Sequence, residues 1–270
     1  MRSQCSRAIA CLPVSAAVFV AKADGRFCAT ELTRGPWDPR AQHGGAPAAL
    51  LAREFERATP DRELAIARIT YEFLRPVALG EVTVSSGLIR AGKRVQLLEG
   101  SLTVEGEEAV RARALRVRRS PLAGPAEPAP TVPGPEQGRE HEFPGEGRMF
   151  ATDAMEIRFV QGDFFEPGPA AAWFRLRHPL IEGEAPTPLQ RLAAAGDFGN
   201  GISAVLSWER HSFINPDLTL LIEREPVGEW ICLQAQTRIS EGGAGASDSV
   251  LFDRQGRVGR ALQTLLVSQR

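Results

Sequence analysis

The sequence predicts an α+β chain that carries one structural plan twice, each copy a long helix followed by antiparallel strands that wrap around it. Three observations carry this expectation. A stretch rich in proline and glycine divides the 270 residues almost in half. Helix and strand signals follow one another in the same order on either side of it. Turn landmarks recur at a fixed offset: Pro76 to Gly106 spans 30 residues, as does Pro226 to Gly256, and the two pairs lie 150 apart. A spacing that regular points to a tandem repeat, and a period so long makes each copy a small domain.

In the first copy, Gly44–Ala58 reads as a helix, with Ala48, Leu51, Ala52 and Phe55 at i, i+3, i+4 and i+7. Its Ala-rich first turns suit tight burial against a curved sheet. Strand signals follow over Leu64–Leu74, Glu81–Arg90, Lys93–Val104 and Glu107–Arg118, the last three split by Ala91-Gly92 and Glu105-Gly106. The second copy opens with a helix at Pro188–Ala195. Its strands are expected over Ser212–Ile222, Glu229–Ile239, Ser247–Phe252 and Arg257–Val267, with turns at Glu241–Gly245 and Arg254–Gly256. "RPVALGEV" at 75–82 echoes "EPVGEW" at 225–230.

Residues 120–147 hold seven prolines and few large apolar side chains, so they read as a linker. The expected boundaries are therefore an N-terminal extension over 1–16, a first unit over 17–119, the linker, and a second unit over 148–270. Met1–Ala21, with Arg2 and Arg7 ahead of an apolar run, faintly imitates a signal peptide; without an evident small-residue cleavage site it reads as an extension entering the first strand.

Composition narrows the function classes. The chain is 43% apolar and 24% charged, with a formal net charge of −1, so no global basic field would collect nucleic acid or anionic lipid. Cys5, Cys11, Cys28 and Cys232 form no CxxC pair, which argues against a zinc site or a disulfide framework and fits a reducing cytoplasm. No apolar stretch has the roughly 20 residues of a membrane span, so no membrane insertion is expected.

The segments "RGPWDPRAQHGGAPAALLAREFER" (34–57) and "ITYEFLRPVALGEVTVSSGLIRAGKRVQLLEGSL" (69–102) resemble the N-terminal hotdog of the thioesterase-like superfamily related to acyl-CoA thioesterase II. "PLQRLAAAGDFGNGISAVL" (188–206), "FINPDLTLLIEREPVGEW" (213–230) and "LFDRQGRVGRALQTLLVSQR" (251–270) resemble its C-terminal hotdog. The resemblance implies a double hotdog fold, an acyl-CoA substrate, no cofactor or metal, frequent association into homodimers or larger oligomers, and hydrolysis by an Asp, a Thr or Asn and a Gln that hold the attacking water. Carried over, these are Asp197, Asn215 and Gln263. Asn215-Pro216-Asp217 stands where the family pattern has Thr-Ile-Asp, and Asp217 is a rival for the middle role.

The residues themselves leave more open. The positions matching Asp197, Asn215 and Gln263 in the first copy are Pro47, Ala65 and Arg113, so one active site per chain is expected. Asp197 shares an apolar helix edge with Leu189, Ala193 and Gly196, where a carboxylate is costly unless used; it could equally cap the helix. Gln263 alternates with Ala261, Leu265 and Val267 and reads alone as a buried structural amide, while Asn215 alone could start a turn. His43-Gly44-Gly45 and Gly196 are candidates for binding substrate, since unpaired N–H groups at a helix start attract developing negative charge; close packing is the competing explanation. Arg75, Arg210 and Arg224 could meet phosphates, although solvated surface arginine is the default. Phe198 and Trp208 could line an acyl tunnel or simply pack. Two other functions stay in view: a non-catalytic acyl-CoA-binding module, and an enoyl-CoA hydratase using Asp38 and His43, five residues apart.

Overall fold

A computed structural model describes residues 15–58, 63–120, 131–141 and 147–270. Most of the expected N-terminal extension, with Cys5 and Cys11, and residues 121–130 and 142–146 of the expected linker lie outside the described residues.

The first half runs β1 (Phe19–Ala21), β2 (Arg26–Ala29), α1 (Gly45–Arg57), β3 (Leu64–Phe73), β4 (Glu81–Arg90), β5 (Val95–Val104) and β6 (Glu107–Arg118). Between the halves lies β7 (Arg139–Glu140). The second half runs β8 (Met155–Gln161), β9 (Ala170–Leu176), α2 (Pro188–Gly196), α3 (Gly199–Ile202), β10 (His211–Ile214), β11 (Asp217–Ile222), β12 (Ile231–Ile239), β13 (Ala244–Asp253) and β14 (Gly256–Gln269).

All fourteen strands among the described residues join one antiparallel sheet, in the order β1-β2-β4-β5-β6-β3-β11-β14-β13-β12-β9-β8-β7 with β10 beside β14. Read outward from the middle, β3-β6-β5-β4-β2 mirrors β11-β14-β13-β12-β9, so the repeat seen in the turn spacing is a repeat of topology. The halves join where β3 pairs with β11, Asp217 opposite Glu72 and Leu220 opposite Ile69. That pairing removes two exposed sheet edges at once.

The first two turns of α1, Gly45–Ala52, are apolar all round, as a helix segment enclosed by its surroundings must be. The charged residues Arg53, Glu54, Glu56 and Arg57 fall in its last part. Ala46, Ala48, Ala49, Leu50, Leu51, Ala52 and Phe55 are fully buried, in one core with Leu192, Ala193, Ala194 and Ala195 of α2. The two helices touch closely because their contact residues are small: a Cβ on Gly45 would stand 2.5 Å from the Ala194 carbonyl oxygen. α2 starts at a Thr187 cap, whose hydroxyl accepts from the Gln190 N–H, with Pro188 in its first turn.

Three features depart from the sequence expectation. Strands precede each helix: β1 and β2 are too short to show alternation, and β8 and β9 are buried on both faces, so no period of two is visible. The expected strand Ser212–Ile222 is two strands: Pro216 has no N–H to give a ladder, and at Asn215-Pro216 the chain passes from beside β14 to the β3 seam. The later part of the expected linker is packed. Trp173 Nε1 donates to the Pro133 carbonyl at 2.7 Å, and β7 pairs with β8.

Candidate active site

α2 ends at Gly196, and a Cβ there would stand 2.6 Å from Leu220 Cδ2 of β11. The glycine lets the helix end press against the sheet. Asp197 follows as the C-cap residue, 9% exposed, and its carboxyl points toward the start of α1. There Gly44 is the N-cap; a Cβ on it would lie 2.7 Å from Asp197 Oδ2 and 3.0 Å from Phe73 Cζ. Only glycine leaves room for the carboxyl at that place.

Asp197 is held on several sides. Asn215 Nδ2 donates to Oδ1 at 2.8 Å and Gln263 Nε2 donates to Oδ1 at 3.1 Å. Gln263 Nε2 also reaches the Asp197 carbonyl at 3.1 Å, while its Oε1 accepts from the Asn200 N–H at 3.0 Å. His43 Nδ1 lies 3.2 Å from Oδ2. The Gly45 N–H donates to that same Nδ1 at 3.0 Å and lies within reach of the Asp197 carboxyl.

Burial dominates the electrostatics. Removing Asp197 from water raises its pKa to about 7, against the opposing pull of the Asn215, Gln263 and Gly45 donors. Burial lowers the pKa of His43 to about 3. Its imidazole is therefore neutral, stacked on Phe198 at 4.4 Å between ring centres and tilted against Phe150 at 5.1 Å. The 3.2 Å His43–Asp197 approach is thus not an ion pair near neutrality: Nδ1 accepts the Gly45 N–H and has no proton to give the carboxylate.

Asp197 opens onto a cavity of about 410 Å³ drawn from both halves of the chain. Gln42, His43 and Gly44 line it from the first half, and Asn200 and Asn215 from the second. Apolar walls come from Phe73, Val77, Ile214 and Pro216. Trp37 stacks on Trp208 across the two halves, with ring centres 4.8 Å apart and the Arg270 guanidinium over Trp37.

The residues expected from sequence fall into three groups. Asp197, Asn215, Gln263 and His43 converge, and Gly44 adjoins them at the cavity wall. Gly45 and Gly196 face neighbouring helix and strand and are not among the cavity-lining residues, so their small size serves packing. Asp217 turns away: its Oδ1 accepts the Thr264 N–H at 2.7 Å, an exposed contact, which leaves Asn215 as the middle partner of the carboxylate. Asp38 bonds Arg40, at 3.1 Å to Nε and 3.0 Å to Nη2, while His43 Nδ1 accepts the Gly45 N–H and faces Asp197, so no Asp38–His43 pair forms. Phe198 packs on His43, and Trp208 stands at the cavity. Arg224 is clamped by both oxygens of Asp253, at 2.5 and 2.6 Å, whereas Arg75 lines the cavity and pairs with Glu107 at 3.0 Å.

Sequence reasoning passed over Asn200 and the Trp37–Trp208 stack. Asn200 could have been found, since it stands one helical turn after Asp197 between two glycines, Gly199 and Gly201. The tryptophan stack joins residues 171 apart and left no local signal. Among the described residues no cluster of His, Cys, Asp and Glu could hold a metal ion, and no helix is long and apolar enough to cross a membrane.

Two helices thus meet in the core of one continuous antiparallel sheet, with a buried carboxyl at their junction. The chain belongs to the acyl-CoA thioesterase family: residues 33–117 match its N-terminal domain and residues 127–267 its C-terminal domain. No curated protein matches the chain. Among solved structures it is similar to a protein from Thermobifida fusca YX provisionally assigned as a thioesterase II, with 20% identity, 94% of this chain and 96% of that one covered, and a TM-score of 0.72. It is also similar to a hot dog fold protein of unknown function from Alicyclobacillus acidocaldarius, with 16% identity, coverage of 93% and 95%, and a TM-score of 0.71. An acyl-CoA thioesterase II, TesB2, from Mycobacterium marinum gives 15% identity, coverage of 93% and 96%, and a TM-score of 0.65. At such identities the likeness shows a hotdog-type fold.

Proposed function

We propose that the protein is an acyl-CoA thioesterase that cleaves its substrate to a free fatty acid and CoA with a water activated by Asp197. The observation that carries this reading is a carboxyl buried at the wall of a largely apolar cavity, with its pKa raised to about 7. A general base works best when its pKa lies near the working pH. In its ionised form Asp197 takes a proton from water as the oxygen attacks the thioester carbonyl carbon. The C–S bond of the resulting tetrahedral intermediate then breaks, and the Asp197 proton returns to the departing sulfur. A thiol with a pKa of about 8.5 is a good leaving group, so no stronger acid is needed.

Asn215 and Gln263 fix the carboxylate through Oδ1. In this reading Gln263 acts from behind, because its amide is occupied by Asp197 and by the Asn200 N–H. Gly44, at the cavity and at the positive end of α1, offers its N–H to the developing oxyanion. Arg75 and the Trp37–Trp208 stack, which also line the cavity, are the groups this reading offers to the CoA portion.

The reading includes a double hotdog of two units, 17–119 and 148–270, joined through 120–147; the mirrored strand order supports it. A cytoplasmic homo-oligomer in fatty acid metabolism completes it. The scattered cysteines fit a reducing compartment. Ile214 and Leu266, paired across β10 and β14 and 50% and 60% exposed, supply an apolar patch for association.

The test is thiol release from a panel of short, medium and long acyl-CoAs, with Asp197→Asn as control. Hydrolysis of at least one chain length, lost in the variant, is expected. Acyl-CoA binding without hydrolysis would point to a binding module, and water addition to a 2-enoyl-CoA to a hydratase; either result overturns the proposal.

A further inference from the structure

Asn200 stands at the cavity three residues after Asp197, in the short α3, and is 5% exposed. Its main-chain N–H is tied to Gln263 Oε1 at 3.0 Å, so the amide that holds Asp197 also fixes the backbone of Asn200. Its side chain makes no hydrogen bond among the described residues, and Oδ1 is buried without a partner. A buried amide oxygen without a partner costs about 1–3 kcal/mol, and no protein group fixes this amide. Its N–H₂ end, also without a partner among the described residues, keeps both donors uncommitted at the cavity wall.

We propose that Asn200 is a catalytic residue whose side-chain amide donates a hydrogen bond to the carbonyl oxygen of the thioester; this rests on the thioesterase reading above. The attacking water and the carbonyl must meet beside Asp197, so the donor to that oxygen has to come from the same wall. The alternatives there are few. The Gly45 N–H is engaged by His43 Nδ1, and the Asn215 amide nitrogen by Asp197 and the Asp217 carbonyl. Gln42 has a free amide oxygen, but its Nε2 is held by the Ala78 carbonyl at 2.9 Å, which presents to the cavity an acceptor and no donor. The Asn200 amide has neither end tied and rotates to present its N–H₂ group. Together with the Gly44 N–H at the same cavity, it gives two donors drawn from opposite halves of the chain. Such donors matter more as the oxygen gains charge than in the ground state, so they act on kcat.

The experiment uses the full chain and the best acyl-CoA of the panel. Asn200→Ala keeps the main-chain bond to Gln263 and is expected to fold, checked by its melting temperature. Its kcat should fall about 10²–10³-fold with KM nearly unchanged. Asn200→Asp, which replaces the donor with an acceptor, should be no better. A second measurement compares two non-hydrolysable ligands: a ketone analogue with CH₂ for sulfur, which keeps the carbonyl, and a thioether, which lacks it. Wild type should favour the ketone and Asn200→Ala should lose that preference, a readout that a merely structural role would not move. An active wild type with Asn200→Ala within about threefold in kcat, or with the loss confined to KM, overturns the assignment of Asn200 alone. A wild type inactive on every acyl-CoA removes the thioesterase reading, and this inference with it.

Discussion

Oδ2 of Asp197 lies 3.2 Å from Nδ1 of His43, yet the two groups titrate on opposite sides of their usual order, the acid at about 7 and the imidazole at about 3. Burial penalises the charged form of each, so it pushes the carboxyl up and the imidazole down. The carboxyl alone therefore changes charge near neutrality. The expected kcat/KM rises with pH, about tenfold per pH unit below about 7, and levels off above it, because the ionised form is the base. A rate profile across about pH 5 to 9 checks this. A profile that falls through neutrality would assign catalysis to a protonated group instead.

Removing either amide that donates to Oδ1 withdraws support from the ionised form alone. Asn215→Ala and Gln263→Ala should each move the inflection upward by about one pH unit, since a hydrogen bond to a charged group contributes roughly 1.5–3 kcal/mol and neighbours or water replace part of it. Activity near neutrality should fall in both variants and recover in part in alkali. Asp217→Asn should leave the inflection where it is, because Asp217 serves the Thr264 N–H. An Asp217 variant as damaged as the Asn215 variant would reverse the assignment of the middle residue.

The reach of the sequence ended where contacts became long in range and geometry became specific. The turn spacing at Pro76, Gly106, Pro226 and Gly256 foretold the repeated topology, because a repeated turn fixes a repeated hairpin. α1 was legible from Ala48, Leu51, Ala52 and Phe55, and β4 and β6 match their expected bounds. β8 and β9 were not, since strands enclosed on both faces lose alternation. At the site, Asp197, Asn215 and Gln263 were found by resemblance, but only the fold shows that Gln263 braces the carboxyl from behind. It also shows that Gly45 and Gly196 are small for packing: glycine marks both close approach and ligand contact, and a sequence alone does not separate them.

Gly44 provides a steric test of the junction. Its φ of −59° suits any residue, so the harm from Gly44→Ala comes from the added Cβ, 2.7 Å from Asp197 Oδ2 and 3.0 Å from Phe73 Cζ. The carboxyl must move to make room. We expect kcat/KM to fall about 10²-fold or more, the scale of misplacing a reacting group by about 1 Å. Gly201→Ala is the control: Gly201 lines the same cavity, but a Cβ there meets nothing within 4 Å. Its melting temperature should match wild type. Equal activity in the Gly44 variant would show that Asp197 tolerates displacement and does not act as the base.

The raised pKa of Asp197 also has a stability consequence whose sign is fixed. The unfolded chain binds this proton with a pKa near 3.8 and the folded chain with one of about 7. Below the unfolded value both states hold the proton and the acid carries no penalty. Between the two values the folded state alone retains it, and stability falls as pH rises, levelling off once the folded group has ionised. At ~1.4 kcal/mol per pKa unit, the ionised carboxyl costs the fold on the order of 4 kcal/mol in mild alkali. Asn at this position is neutral at every pH, and its amide oxygen can still accept from Asn215 and Gln263. Asp197→Asn should therefore be inactive yet more stable than wild type at about pH 9, with the difference shrinking toward about pH 4. Chemical denaturation at a series of pH values measures it. A gain independent of pH would mean that the carboxyl is not kept from water, and the basis for its action as a near-neutral base would be lost.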